Sequence, residues 1–283
     1  GCSPVDLCQL TQGFDGNLYG TTRSGGGFGY GTIFMVTPYG AHADLWSFDG
    51  VSGAVPYGGL TLASDGNFYG TATLGGAYRN GTVFRFTPPN TVTVLHSFNG
   101  SDGANPAIPP TQGADANLYG VSGSGTTYRI ALPSGIFQQL AQNVSSNTGP
   151  TCQPISFIKG DPNCYPYSVN GPLYLASDGN LYGTSFYGGD FGAGSVFRMT
   201  TDGDITHVYS FTGGSDGYGP IGPVTQGQGA DVRLYGTTAE GYFGNVFALT
   251  LEGLFTSLYS FDPPFSGFFN TDGAYPNTGV LAA

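Results

Sequence analysis

Only two glutamates, Glu240 and Glu252, are available to this chain as proton donors. A polysaccharide hydrolase needs one protonated and one ionised carboxylate flanking the scissile bond. Glu252 occupies a tight turn where equivalent stretches carry Tyr39 or Pro89, so it reads as a solvated turn residue. Glu240 stands in a glycine-rich stretch with no second glutamate near it. His42, His96 and His207 belong to no serine or cysteine motif of nucleophilic catalysis, and they read as edge or surface residues. No catalytic residue is assigned, and the chain is expected not to be an enzyme.

The aspartates fall into two recurrent sets. Asp15, Asp65, Asp115, Asp178 and Asp231 each open a short phrase: "DGNLYGT", "DGNFYGT", "DANLYGV", "DGNLYGT" and "DVRLYGT". An aspartate ahead of Gly-Asn is a turn former, because its carboxylate satisfies backbone N–H groups two residues on. Asp49, Asp102, Asp216 and Asp272 lie in glycine-rich connections. Loop carboxylates suit calcium, a hard cation, but the spacing of a calcium loop is absent. No cofactor is expected, with calcium the one candidate.

The recurring phrase dictates the elements that hold these residues. Its Leu-Tyr-Gly core begins at Leu18, Phe68, Leu118, Leu181 and Leu234, so the chain is a tandem repeat of about 50 residues. In the second copy a short apolar run, residues 60–63, turns at "SDGN" and continues through residues 68–73. A glycine-rich loop leads into "GTVFRFTP", and a Pro-Pro-Asn turn leads into "TVTVLHSF". That makes four strands per copy, and nowhere does a 3.6-residue apolar period argue for a helix. Strands such as "TIFMV" lack a polar face, as burial on both sides requires. The expectation is an all-β, five-bladed β-propeller built from four-stranded repeats. An open β-solenoid is the alternative.

The blades are expected at residues 8–48, 58–98, 108–140, 172–211 and 222–261 of a single domain spanning 1–283. An insertion at 141–170 lengthens the third interval. The C-terminal "DGAYPNTGVLAA" at 272–283 matches "SGAVPYGGLTLA" and supplies a surplus first strand. An unpaired strand can close the ring, continue a longer array or pair with a neighbouring molecule.

A net charge of −11, with Lys159 the single lysine beside six arginines, excludes the clustered cations that phosphate backbones need, so no nucleic-acid partner is expected. No apolar stretch is long enough to span a bilayer. Cys2 with Cys8 and Cys152 with Cys164 form two local pairs, expected as disulfides over free thiols or metal ligands. Disulfides imply an oxidising compartment, hence an extracellular or cell-surface location. Asn80, Asn99 and Asn143 head sequons and are candidate glycosylation sites.

The pattern "GL...SDGN(L/F)YGT...GG...GTVF...LHSF.G.DG..P" resembles the GloVer-type tandem repeat of secreted bacterial proteins whose termini carry assorted surface anchors. Copies one, two and four match it well. Copy three departs, with Ala116 for glycine and a shortened loop, and copy five has Val232-Arg233 in the turn. The resemblance implies a β-propeller in a secreted or surface setting, and it brings no catalytic residues.

In a four-stranded meander the variable loops gather at one end of the blades. There the sequence places Phe28, Tyr30, Tyr78, Tyr187, Phe191, Tyr242 and Phe243, rings flanked by glycines that suit stacking on sugars or on protein. The expected role is therefore structural or adhesive, with the partner another copy of the chain, as in a self-assembling fibre, or a surface glycan. A lectin-like propeller is the alternative and a polysaccharide-acting enzyme the third reading.

Overall fold

The computed structural model describes residues 9–141, 171–240, 244–261 and Pro276. Among these residues every regular element is a strand, and the strands form five separate antiparallel sheets.

One compact unit contains the first three sheets. The first is β1 (Thr11–Gln12), β2 (Leu18–Thr22), β3 (Thr32–Val36) and β4 (His42–Ser47). The second is β5 (Leu60–Leu62), β6 (Phe68–Ala72), β7 (Thr82–Thr87) and β8 (Thr91–Ser97). The third is β9 (Thr111–Gln112), β10 (Leu118–Val121), β11 (Thr127–Ala131) and β12 (Ile136–Ala141). Strands pair in chain order within each sheet, the meander of a propeller blade.

A second unit holds the other two sheets. Blade four is β13 (Tyr174–Leu175), β14 (Leu181–Ser185), β15 (Ser195–Met199) and β16 (Ile205–Ser210). Blade five comprises β17 (Tyr218–Pro220), β18 (Thr225–Gln226), β19 (Leu234–Glu240), β20 (Asn245–Leu249) and β21 (Phe255–Ser260). This blade departs from four strands, because β19 runs on far enough for Thr238 and Glu240 to pair with the incoming connection, β17. Glu240 thus closes a strand instead of lying in a loop. The five sheets are the five blades of a β-propeller.

One register explains the repeated Leu-Tyr-Gly. Gly20, Gly70, Gly120, Gly183 and Gly236 lie directly opposite Phe34, Phe84, Tyr128, Phe197 and Phe247. Each aromatic ring folds over its glycine, so that a Cβ on Gly70 would stand 2.6 Å from Phe84 Cζ and one on Gly183 2.4 Å from Phe197 Cζ. The glycine makes room for the ring, which in blades two, three and five packs on the preceding sheet, against Phe48, Phe98 and Phe211. Between the third and fourth strands every blade carries a β-bulge at the same place, from Ile33/Phe34 in the first to Val246/Phe247 in the last. Bulges sharpen the local twist, and here they recur with the repeat.

The cores lie in the joints between successive sheets. Tyr19, Ile33 and Phe48 of blade one bury against Leu60, Phe68, Phe84 and Phe86 of blade two. Tyr69, Val83 and Phe98 meet Leu118, Tyr128 and Ile130 of blade three. Tyr182, Val196 and Phe211 of blade four meet Val224, Leu234, Phe247 and Leu249 of blade five. Two-sided burial therefore selects the continuous apolar strands seen in the sequence.

The turn aspartates clamp each blade from within. Asp65 accepts from Asn67 N at 3.0 Å, Asn67 Nδ2 at 2.9 Å and the Tyr69 hydroxyl at 2.7 Å. Asp15, Asp115 and Asp178 repeat the set with their own asparagine and tyrosine. In blade five Arg233 replaces the asparagine, forming a two-pronged ion pair with Asp231, which also accepts from Tyr235. Glu252 is an exposed turn residue.

Candidate functional site

The glycine-rich loops of blades one, two and four share one frame. Gly25 bridges Tyr30, Gly75 bridges Asn80 and Gly188 bridges Ala193. Gly31 N, Gly81 N and Gly194 N donate back to Gly25, Gly75 and Gly188 carbonyls at 3.1, 3.0 and 3.0 Å. A serine from the blade's last strand fixes the middle of each loop: the hydroxyl oxygens of Ser47, Ser97 and Ser210 accept from Gly27 N, Ala77 N and Asp190 N. On each frame the next residue is an aromatic, and Phe28, Tyr78 and Phe191 are 64, 61 and 65 % exposed. What sets these three rings apart is that they recur at the same place on one tied-down frame.

Not every aromatic expected on this face belongs to the series. Tyr30 flanks its loop beside Gly50, half out of solvent. Tyr187 sits two residues after β14 and packs edge-on to Phe186 and Tyr218, 4.6 and 6.2 Å away. Tyr242 and Phe243 lie outside the described residues, as do Asn143, all four cysteines, and the insertion apart from Ala141. Of the C-terminal stretch only Pro276 is described. Asn80 is half-buried, and Asn99 is exposed with its side-chain oxygen accepting from Ser101 and Asp102.

The joints hold a second polar set that the sequence reading missed. His96 is not a surface residue: its ring stacks on Phe137 at 3.5 Å, and Nε2 meets Asp102 at 3.0 Å. Tyr209, at the same position of blade four, stacks on Phe255 at 4.7 Å and donates to Asp216 at 3.0 Å. Burial and the hydrogen bond to Asp216 push the Tyr209 phenol up to about 12. Burial raises the Asp216 carboxyl, but bonds from Thr212 and Tyr209 outweigh it, and the net shift is downward. The signal was the spacing between an aromatic in "(W/H/Y)SF" and the aspartate of the following glycine-rich connection. Within the blade-four and blade-five unit an open cavity of about 550 Å³ is lined by Tyr209, Asp216, Phe255 and Ser257.

His207 and Ser195 also touch, at 3.0 Å, but Ser195 is fully buried. His42 is exposed at the start of β4, 3.5 Å from Asp44. The connection aspartates act as hydrogen-bond acceptors: Asp49 takes three donors from Val51 and Ser52, and Asp216 takes three from Thr212 and Tyr209. Carboxylates so engaged stay ionised and hold loops in shape. No helix of the described residues is long and apolar enough to cross a membrane.

The Gloeobacter/Verrucomicrobia repeat family matches residues 1–132. No curated protein matches the sequence. Among solved structures, a protein from Lactobacillus plantarum superposes with a TM-score of 0.55 at 16 % identity, over 87 % of this chain and 67 % of its own. An auxiliary nutrient binding protein from Bacteroides thetaiotaomicron gives 0.54 at 11 % identity, over 98 % and 61 %. A putative TolB from Agrobacterium tumefaciens gives 0.51 at 11 % identity, over 90 % and 81 %. The chain spans 47 % of the length of TolB from Acinetobacter baumannii. At such identities these likenesses speak for the fold alone. The first 132 residues match the Gloeobacter/Verrucomicrobia repeat, and the fold of the chain is a five-bladed β-propeller.

Proposed function

We propose that this propeller is a non-enzymatic extracellular module with a structural or adhesive role, touching its surroundings through the loop end of its blades. One observation carries the reading: Phe28, Tyr78 and Phe191 stand on three copies of one hydrogen-bonded frame and remain largely exposed. The frame fixes the backbone that carries each ring before contact, so little loop entropy is lost on binding. Gly27 and Gly29 beside Phe28, and Gly192 beside Phe191, leave those ring faces open to a flat partner.

That geometry favours carbohydrate as the partner over a polyanion. A net charge of −11 repels polyanions, while a neutral sugar presents an apolar C–H face to an aromatic ring. The experiment is retention on insoluble polysaccharides and a glycan array, comparing wild type with the Phe28→Ala/Tyr78→Ala/Phe191→Ala variant. Loss of at least tenfold in retention with an unchanged melting point supports the reading. Equal retention by both proteins, or release of soluble sugar that Glu240→Gln abolishes, defeats it.

A further inference from the structure

Two equivalent positions recur in the joints after blades one, two and four: the residue ahead of "SF" in the last strand, and the residue ahead of Gly53, Gly103 or Gly217 in the connection that follows. After blade one they are Trp46 and Ser52, a pair without charge. After blade two they are His96 and Asp102, in contact at 3.0 Å, so the acid has a partner able to carry a proton. After blade four the acid stays and the base is gone, because Tyr209 stands where His96 does and donates to Asp216 at 3.0 Å. A phenol cannot neutralise a carboxylate.

Asp216 is nevertheless only 8 % exposed, and it belongs to none of the ion pairs among the described residues, His42–Asp44, His96–Asp102 and Arg233–Asp231. A buried charge without a counter-charge is costly, and hydrogen bonds offset only part of that cost. Bonds from Thr212 N, Thr212 Oγ1 and the Tyr209 hydroxyl hold its carboxyl below the ordinary aspartate range, against the opposing effect of burial. These three bonds leave one of the roughly four acceptor positions of an ionised carboxylate unused.

The facing sheet departs from the repeat at the same place. Ser257 lies opposite Phe247, where blade two has Val94 opposite Phe84 and blade three has Gln139 opposite Tyr128. Ser257 and Ser260 both donate to Asn245 Oδ1, and Asn245 stands where blade two carries Thr82. Asp216, Tyr209, Thr212, Ser257 and Ser260 all border the open cavity of about 550 Å³, which lies within one compact unit and has the size of a small-molecule site. The hydroxyl protons of Tyr209 and Thr212 go to Asp216, and those of the two serines go to Asn245. What these groups have left for a ligand is oxygen lone pairs and a negative charge.

We propose that this cavity binds a small organic ammonium ion, a primary amine carried on a sugar or a short chain, with Asp216 as its counter-charge and the Ser257 and Ser260 oxygens as further acceptors. An ammonium group brings N–H donors and a positive charge, which are what these wall groups lack. A divalent metal ion asks for more hard ligands than one carboxylate supplies, and a neutral sugar brings no charge. This inference stands apart from the loop-tip reading and does not require it.

Calorimetric titration at about pH 6, where amines are protonated and carboxylates ionised, tests it with glucosamine, putrescine and glucose as probes. At least one of the two amines should bind, glucose should bind at least tenfold more weakly, and added salt should weaken the amine. The amine that binds identifies the carrier as sugar or chain. Asp216→Asn keeps an acceptor oxygen without the charge and should abolish binding. Ser257→Val installs the residue of blade two and should cut affinity at least tenfold at an unchanged melting point; it decides the matter if Asp216→Asn fails to fold. Absence of binding by both amines overturns the proposal. So does glucose that binds as tightly as the amines, or amine affinity that survives either substitution in a folded protein.

Discussion

The hydroxyl of Tyr69 donates to the carboxylate of Asp65, four residues back across the turn, at 2.7 Å. The same bond ties the second strand to its turn in every blade. It converts the "DGNLYGT" phrase from a candidate chemical motif into a mechanical one.

Tyr69→Phe should therefore weaken the fold without altering its shape. A hydrogen bond to a charged acceptor contributes about 1.5–3 kcal/mol, and the solvation of Asp65 brings the expected loss down to about 1 kcal/mol. Urea denaturation reads it as a lower midpoint at constant slope. A midpoint equal to the wild type would show that the clamp adds nothing.

Acid should release the clamps together. Burial raises Asp65 and Asp178, yet bonds from their asparagine and tyrosine partners outweigh it and hold both below the ordinary aspartate range. Asp15 and Asp115 shift the same way for the same reason, and Asp231 is lowered chiefly by Arg233. A carboxyl depressed on folding contributes stability that is complete above its unfolded pKa and is lost as pH falls through the folded one. The urea midpoint should hold steady above about pH 4 on account of these groups and drop steeply below it. Asp65→Asn should flatten part of that drop.

His96 gives a separate titration. Burial lowers its pKa below 6.5, against the opposing pull of Asp102. The folded state resists the proton that the unfolded chain accepts, so stability should decline as pH falls from about 6.5 towards the folded pKa. His96→Phe should remove that slope while keeping the stack on Phe137. A slope unchanged in the variant would assign it elsewhere.

Copy three holds two local faults that substitution should repair. Ala116 replaces the turn glycine and sits at φ 64°, a left-handed conformation that costs an alanine about 1 kcal/mol. Tyr128 replaces the phenylalanine over the glycine, and its buried hydroxyl has no hydrogen-bond partner among the described residues. Burial alone pushes that phenol far up. Ala116→Gly and Tyr128→Phe should each raise the melting point, the second by removing a buried unsatisfied group worth about 1–3 kcal/mol. Gly183→Ala should do the opposite, since its Cβ would stand 2.4 Å from Phe197 Cζ in a sealed joint.

These repairs indicate what the sequence made legible. Four strands per copy, the turn role of Asp65 and the fully buried "GTVF" strand all follow from local residue pattern, because two-sided burial and turn chemistry act over a few residues. The second strand of blade two, Phe68–Ala72, is buried at every position, as its composition demanded. What escaped is long-range. His96 reads as an edge residue until Phe137, from the next blade, arrives against its ring. Tyr187 resembles Tyr78 in sequence, yet Tyr218 draws it into a packed cluster while Tyr78 stays at a loop tip. Equivalence of position, more than residue type, separated the exposed tips from the packed rings.

The central claim is that the recurrent polar residues build the scaffold while the loop-tip aromatics meet the partner. It is tested most directly by measuring, in one series, polysaccharide retention and melting point for Phe28→Ala/Tyr78→Ala/Phe191→Ala and for Tyr69→Phe. The account predicts that the loop variant loses retention at full stability, and that the clamp variant loses stability at full retention. Retention that follows the clamp and ignores the loop tips would contradict it.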